Sequence, residues 1–204
     1  MSASILDNIY LKEVKQSVEK KARNKPRRYL RSRITRKLIL DTALAVFLSE
    51  GYGKTTIAKI SEQAKVGYGT VYSHYKGKDD IMSKVVDNIL DEFYNLLEVP
   101  FAPNNLDEAR AAYYELVLTS FKLAEQHQPI MKVYQEALGQ SADIVEHWQG
   151  VVNQFIKSSA KSFLYAQEKG MAKEFDIEVG AKAYILLVDC FIWEVVNGKE
   201  TDLE

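Results

Sequence analysis

The residues most capable of chemistry crowd into one short stretch. Lys20, Lys21, Arg23, Lys25, Arg27, Arg28, Arg31, Arg33, Arg36 and Lys37 carry positive charge, with no acid between Lys20 and Lys37. Such a run repels itself in isolation and is neutralised best by a row of phosphates, so it suits direct contact with nucleic acid. A solvated leader that merely aids solubility is the other account of the same residues. The imbalance reaches further: residues 1–78 hold 17 Lys or Arg against six Asp or Glu, and residues 79–204 hold ten against 22. A formal net charge of −1 therefore conceals a basic part and an acidic part suited to different partners.

Catalytic chemistry finds little support. Ser141, Asp143 and His147 are neighbours in sequence, yet no nucleophile-elbow motif surrounds the serine. Asp79–Asp80 and Asp91–Glu92 are adjacent pairs that leave a helix in different directions, so neither reads as a paired acid and base. The single Cys190 excludes an internal disulfide and a cysteine metal cluster, and it fits a reducing compartment. The histidines have no metal-ligand spacing, so the expectation is a protein without enzymatic activity, metal or cofactor. Residues 1–18 include Asp7, Lys12, Glu13 and Lys15 rather than a basic stub and an apolar run, and no window of about eighteen apolar residues exists. A cytoplasmic protein with no membrane partner is expected.

The elements that must position the basic residues read as helices. An apolar content of 47 % with four prolines and ten glycines suits long helices joined by short loops. Leu6, Ile9, Tyr10, Val14 and Val18 give a weak helical period, and Ile34, Leu38, Ala43, Leu44, Phe47 and Leu48 give a strong one that ends at Gly51. Thr55 or Thr56 can cap a second helix with Ile57, Ala58, Ile60 and Ala64 inside. After a turn at Lys65–Val66–Gly67, a short third helix from Tyr68 to His74 points Val71 and Tyr75 inward, and it needs the other two to hold it. Further helices are predicted over 79–98, 106–125, 129–138, 142–168 and 175–197, with no sustained strand alternation. The fold class is all-α: a basic extension over 1–33, a three-helix helix-turn-helix unit over 34–78, and a helical body over 79–204.

The run GYGKTTIAKISEQAKVGYGTVYSHYKGKDDI, Gly51 to Ile81, resembles the amino-terminal domain of the tetracycline-repressor (TetR) family, and the likeness extends from about Ile34 to Val86. Phe47, Gly51 and Tyr52 match the end of that family's first helix, and Thr55–Thr56, Ile60 and Ala64 match its second. Thr70–Val71–Tyr72, His74–Tyr75 and Lys78 match its recognition helix and the start of its long connecting helix. The sequence departs from the pattern at Lys65, where the family usually has Gly, at Gly67, where it usually has Ser, and at Tyr68, often polar or basic there. The resemblance implies a helix in the major groove, with Tyr68, Gly69, Thr70 and Ser73 facing bases and Tyr72 and His74 nearer the backbone. A Tyr72 ring packed on the first helix is the structural alternative. Lys78 is the expected phosphate contact, Tyr52 and Thr55 contribute neutral donors, and Arg31, Arg33 and Arg36 follow the backbone or enter the minor groove.

For the acidic body the resemblance implies a twofold homodimer on an approximately palindromic operator. Phe155, Ile156, Ala160, Phe163 and Leu164 on one late helix, and Ala183, Ile185, Leu186, Val188, Phe191, Ile192 and Val195 on the next, supply the apolar faces expected at the dimer interface, with part of each set buried inside one monomer instead. Phe93, Tyr94, Tyr113, Tyr114, Phe121, Met131, Tyr134, Trp148, Phe155, Tyr165 and Trp193 are expected around an effector cavity, oriented by His127, Gln135, His147 and Asp189, although core filling explains any one of them. The expected function is a ligand-responsive repressor released by a small aromatic or lipophilic effector. A DNA-binding module without an effector, and a dimeric interaction protein, are the alternatives.

Overall fold

The computed structural model describes the backbone of residues 3–97 and 101–199 and the side chains of 29–96 and 101–199, and these form eight helices without a strand. Three helices build a small head: α1 (Ala3–Lys54), α2 (Ile57–Gln63) and α3 (Tyr68–Tyr72). Five build the body: α4 (Lys78–Leu97), α5 (Leu106–Gln126), α6 (Gln128–Leu138), α7 (Ala142–Glu168) and α8 (Ile177–Val196). Beyond α1, predicted and observed boundaries agree to about two residues, because most ends carry a readable signal. Asn105, Ser141 and Asp176 cap α5, α7 and α8 by accepting the backbone N–H three residues on, and Pro129 opens α6.

Residue 33 is not a boundary in the backbone. The expected extension and the first helix form one continuous α1, helical until Gly51 breaks it at φ 79°, ψ 172°. Leu, Arg and Lys are good helix formers, and Tyr29 to Lys37 are nearly all exposed, so their charges are solvated rather than crowded into a core. The weak period from Leu6 to Val18 and the charges from Lys20 to Arg28 lie outside the described side chains.

In the head, Ile39, Ala43, Val46, Phe47, Ile60 and Val71 are fully buried and meet at one core. Thr56, not Thr55, caps α2 by accepting Lys59 N–H at 3.3 Å. The turn into α3 shows what the two unusual residues do. Lys65 adopts φ 53°, the left-handed region that costs a side-chain-bearing residue about 1–2 kcal/mol, and Gly67 begins α3 without a side-chain cap. In the body α7 packs along α8, α5 crosses α8, and α6 reaches back to lie on α1.

Candidate nucleic-acid interface and ligand site

The third helix is held from inside and offered outside. Val71 is buried, and Tyr75 donates its hydroxyl to the Arg36 carbonyl at 3.0 Å, which ties the end of α3 to α1. The opposite face exposes Tyr68, Gly69, Tyr72 and Ser73, with Thr70 half-buried. Tyr68 and Tyr72 are about half exposed, at 54 % and 47 %, and lean together with ring centroids 5.1 Å apart and hydroxyls at 3.4 Å. Tyr72 therefore does not pack on the first helix. A Cβ on Gly69 would meet nothing within 4 Å, so packing inside the chain does not demand its missing side chain. Ser73 donates to the Thr70 carbonyl at 2.7 Å, and the half-buried His74 ring lies 6.4 Å from Tyr75. Arg31, Arg33 and Arg36 are exposed on α1, Arg36 over the Tyr75 ring at 5.5 Å and Arg33 near Tyr29 at 5.9 Å.

Three expected phosphate contacts point elsewhere. Tyr52 is buried, with its hydroxyl donated to Asp79; burial, then the Asp79 hydrogen bond, push the phenol well above its ordinary pKa. Thr55 is buried and donates to the Gly51 carbonyl at 2.7 Å, closing the turn after α1. Lys78 sends its ammonium inward, 2.9 Å from the Tyr52 carbonyl and 3.9 Å from the Tyr52 ring centroid. The sequence pattern places these residues near the surface but cannot show that the break at Gly51 leaves carbonyls and a ring needing partners.

The same break is gripped from the body. Glu136 on α6 accepts Tyr52 N–H and Gly53 N–H at 2.9 Å each, and these backbone donors, Gly53 foremost, hold its carboxyl below the usual range. Asp79 also accepts the Ser141 hydroxyl at 2.6 Å, so the starts of α4 and α7 meet under the head. Further along α4, Asp87 is 2.8 Å from His147 on α7, whose other nitrogen is 2.7 Å from the Tyr134 hydroxyl on α6. The His147 hydrogen bond keeps Asp87 below the ordinary carboxylate range, and burial raises Tyr134. Sequence reasoning misses Glu136, Asp79 and Asp87 as ties. An acid on the polar side of an amphipathic helix reads as solvated until its partner is known.

Between α4, α5, α6, α7 and α8 lies a mostly apolar cleft. Phe93, Met131, Trp148 and Asp189 line it, as expected for a ligand site, together with Leu90, Leu116, Val151 and Tyr184, which the pattern does not single out. Phe155, expected both in the cavity and at a dimer face, lines this cleft too, as do Ile185, Val188 and Ile192, expected at a dimer face. Phe163 also turns inward, 5.7 Å from the Tyr184 ring and 5.6 Å from Tyr113. Apolar helical periodicity marks a face as buried without saying whether by the same chain or another. Of the expected interface residues Leu164, Ala183, Leu186 and Phe191 are exposed, Leu164 at 48 %, and Val179 and Leu187 are exposed as well.

Other expected ligand residues are spread around the cleft. Tyr94 stacks on Phe155 at 5.2 Å, Trp193 meets Trp148 edge to face at 5.2 Å, and Phe121 lies buried against Phe191 at 6.3 Å. Tyr134 and His147 stand behind the wall in the tie to Asp87. Tyr113 lines a neighbouring cleft with Phe101, Ser158, Ser159 and Ser162, and its hydroxyl is buried without a hydrogen-bond partner. Leu116 and Ser159 border both clefts. Among the described residues there is no cluster suited to a metal ion and no helix long and apolar enough to cross a membrane.

Residues 39–85 match the model for bacterial regulatory proteins of the tetR family. The chain is 28 % identical over 172 residues to the HTH-type transcriptional regulator YhgD of Bacillus subtilis (strain 168), covering 78 % of this chain and 84 % of that one. It is 33 % identical over 104 residues to the HTH-type transcriptional regulator TtgW of Pseudomonas putida, covering 51 % of this chain and 72 % of that one. Among solved structures, Salmonella enterica GusR superposes with a TM-score of 0.64 at 16 % identity, over 82 % of this chain and 88 % of that one, a likeness of fold alone. With a buried-core head, an outward α3 and a five-helix body in the family's order, the chain belongs to the tetR family of bacterial regulatory proteins.

Proposed function

We propose that this protein is a cytoplasmic transcriptional repressor that binds a palindromic operator as a homodimer and leaves it when a lipophilic effector fills the cleft in its body. The DNA contacts are the exposed face of α3, with Tyr68, Gly69, Thr70, Tyr72 and Ser73, aided by His74 at its end. Arg31, Arg33 and Arg36 neutralise flanking phosphates. Lys78 acts at one remove, holding Tyr52 and the turn beside α3 while the backbone N–H groups at the start of α4 face the anion. The outward surface carrying Leu164, Leu186 and Leu187 is the dimer face. Such an apolar area on one side of a soluble helix pair calls for a partner.

One observation carries the effector reading. The cleft is walled by α4 at Leu90 and Phe93 and by α6 at Met131, and the same two helices grip the head through Asp79 and Glu136. A ligand that wedges these walls apart moves both grips, so it binds one arrangement of the head better than another and shifts the population toward it. Genomic fragments retained by the purified protein and then sequenced test the first half. Recovery of one palindromic motif is expected, and uniform salt-sensitive retention overturns it. Arg33→Ala is expected to weaken binding to all sequences alike and to reduce the salt slope by about 1, whereas Tyr72→Ala alters sequence preference.

A further inference from the structure

Asp189 is the one acid among the residues that wall the cleft, and no Lys, Arg or His accompanies it there. Its placement follows from the rotation of α8. Ile185 and Ile192, one turn to either side, also face the cleft, while Leu186, Leu187 and Cys190 face outward. None of the ion pairs among the described residues includes Asp189. Burial raises its pKa, with smaller opposing contributions from the indoles of Trp193 and Trp148.

Resting on the reading of this cleft as the effector site, we propose that it takes a lipophilic cation, an aromatic or alkyl ammonium compound whose head lies against Asp189. A half-buried carboxylate lacking a protein counter-charge is completed by a ligand that brings one, and the pair gains strength in a wall that is otherwise uncharged. The ring faces of Phe93, Trp148, Phe155 and Tyr184 attract the same charge. An anionic effector such as a fatty acid would meet Asp189 with no basic side chain in the wall to receive it. A neutral one would leave Asp189 as it stands, unpaired.

Phenyltrimethylammonium and its uncharged isostere tert-butylbenzene test this by calorimetric titration of the full chain, wild type and Asp189→Asn, the folding of each checked by its thermal melt. The wild type is expected to bind the ammonium at least tenfold more tightly than tert-butylbenzene, and D189N is expected to lose that preference while keeping its affinity for the hydrocarbon. Equal or better binding of tert-butylbenzene by the wild type, unchanged in D189N, overturns the cation while leaving the cleft as a lipophilic site. Binding of neither compound by the folded wild type overturns the effector reading itself. Tight ammonium binding that D189N leaves intact places the cation away from Asp189 and also overturns the proposal.

Discussion

The head and the body of this molecule are packed by opposite rules. In the head the inward-facing large apolar side chains are buried, and at the turn after α1 the Tyr52 and Gly53 amides, the Thr55 hydroxyl and the Lys78 ammonium each have a partner. The body leaves a cleft along the join of five helices and a tyrosine hydroxyl without a partner beside it. The difference matches the work proposed for each part. A reading surface must present one geometry, since a misplaced donor loses its base, whereas a sensing region needs two arrangements close in free energy.

Truncating one ring in each region gives the largest contrast. Phe47→Ala in the head is expected to cost about 3–5 kcal/mol of unfolding free energy, because the filled core cannot collapse around the loss. Phe155→Ala, whose ring already faces open space, is expected to cost about half as much. Urea titrations of both variants measure this, and equal losses would erase the distinction between a filled and an open interior.

The grip between the two regions is expected to respond to acid. Glu136→Gln keeps the size of the side chain but loses one oxygen that accepts a backbone N–H, at a cost of about 1 kcal/mol near neutral pH for so exposed a group. Because the Glu136 pKa is lowered by folding, its contribution is whole above the ordinary glutamate value of about 4.3 and fades as pH falls through the lowered one. Stability of wild type and variant should therefore converge on acidification. A gap that widens below about pH 4 would show that Glu136 is not bound as an anion.

Smaller effects come from the turn before α3. Lys65→Gly relieves the left-handed backbone and is expected to stabilise by about 1 kcal/mol, read as a higher Tm. Gly67→Ser adds a cap for α3, and its Cβ would sit 3.4 Å from the Thr70 hydroxyl, an ordinary contact. The gain expected is a few tenths of a kcal/mol, best resolved in the Lys65→Gly background.

The same contrast explains what is legible in the sequence. Helix ends marked by Asn105, Ser141, Asp176 or Gly51 are readable because a cap or a left-handed glycine acts within a few residues. The head's core follows from period and family likeness together. That Phe155, Ile185, Val188 and Ile192 turn to the cleft is not decided by period, because α7 and α8 are apolar on two faces and the packing of α4, α5 and α6 against them sets which face turns inward. Tyr52, Thr55 and Lys78 look like surface donors for a related reason. Their partners, Asp79 and the carbonyls at Gly51 and Tyr52, exist as needs only once the chain breaks at Gly51.

That break bears on how such proteins can be recombined. The two amides after Gly51 are claimed by a carboxylate 84 and 83 residues away, on a helix of the body, and a Cβ at Gly51 would come within 2.8 Å of that carboxylate. A chimaera that grafts residues 34–78 onto a foreign body leaves these two amides to water unless an acid stands at the place of Glu136.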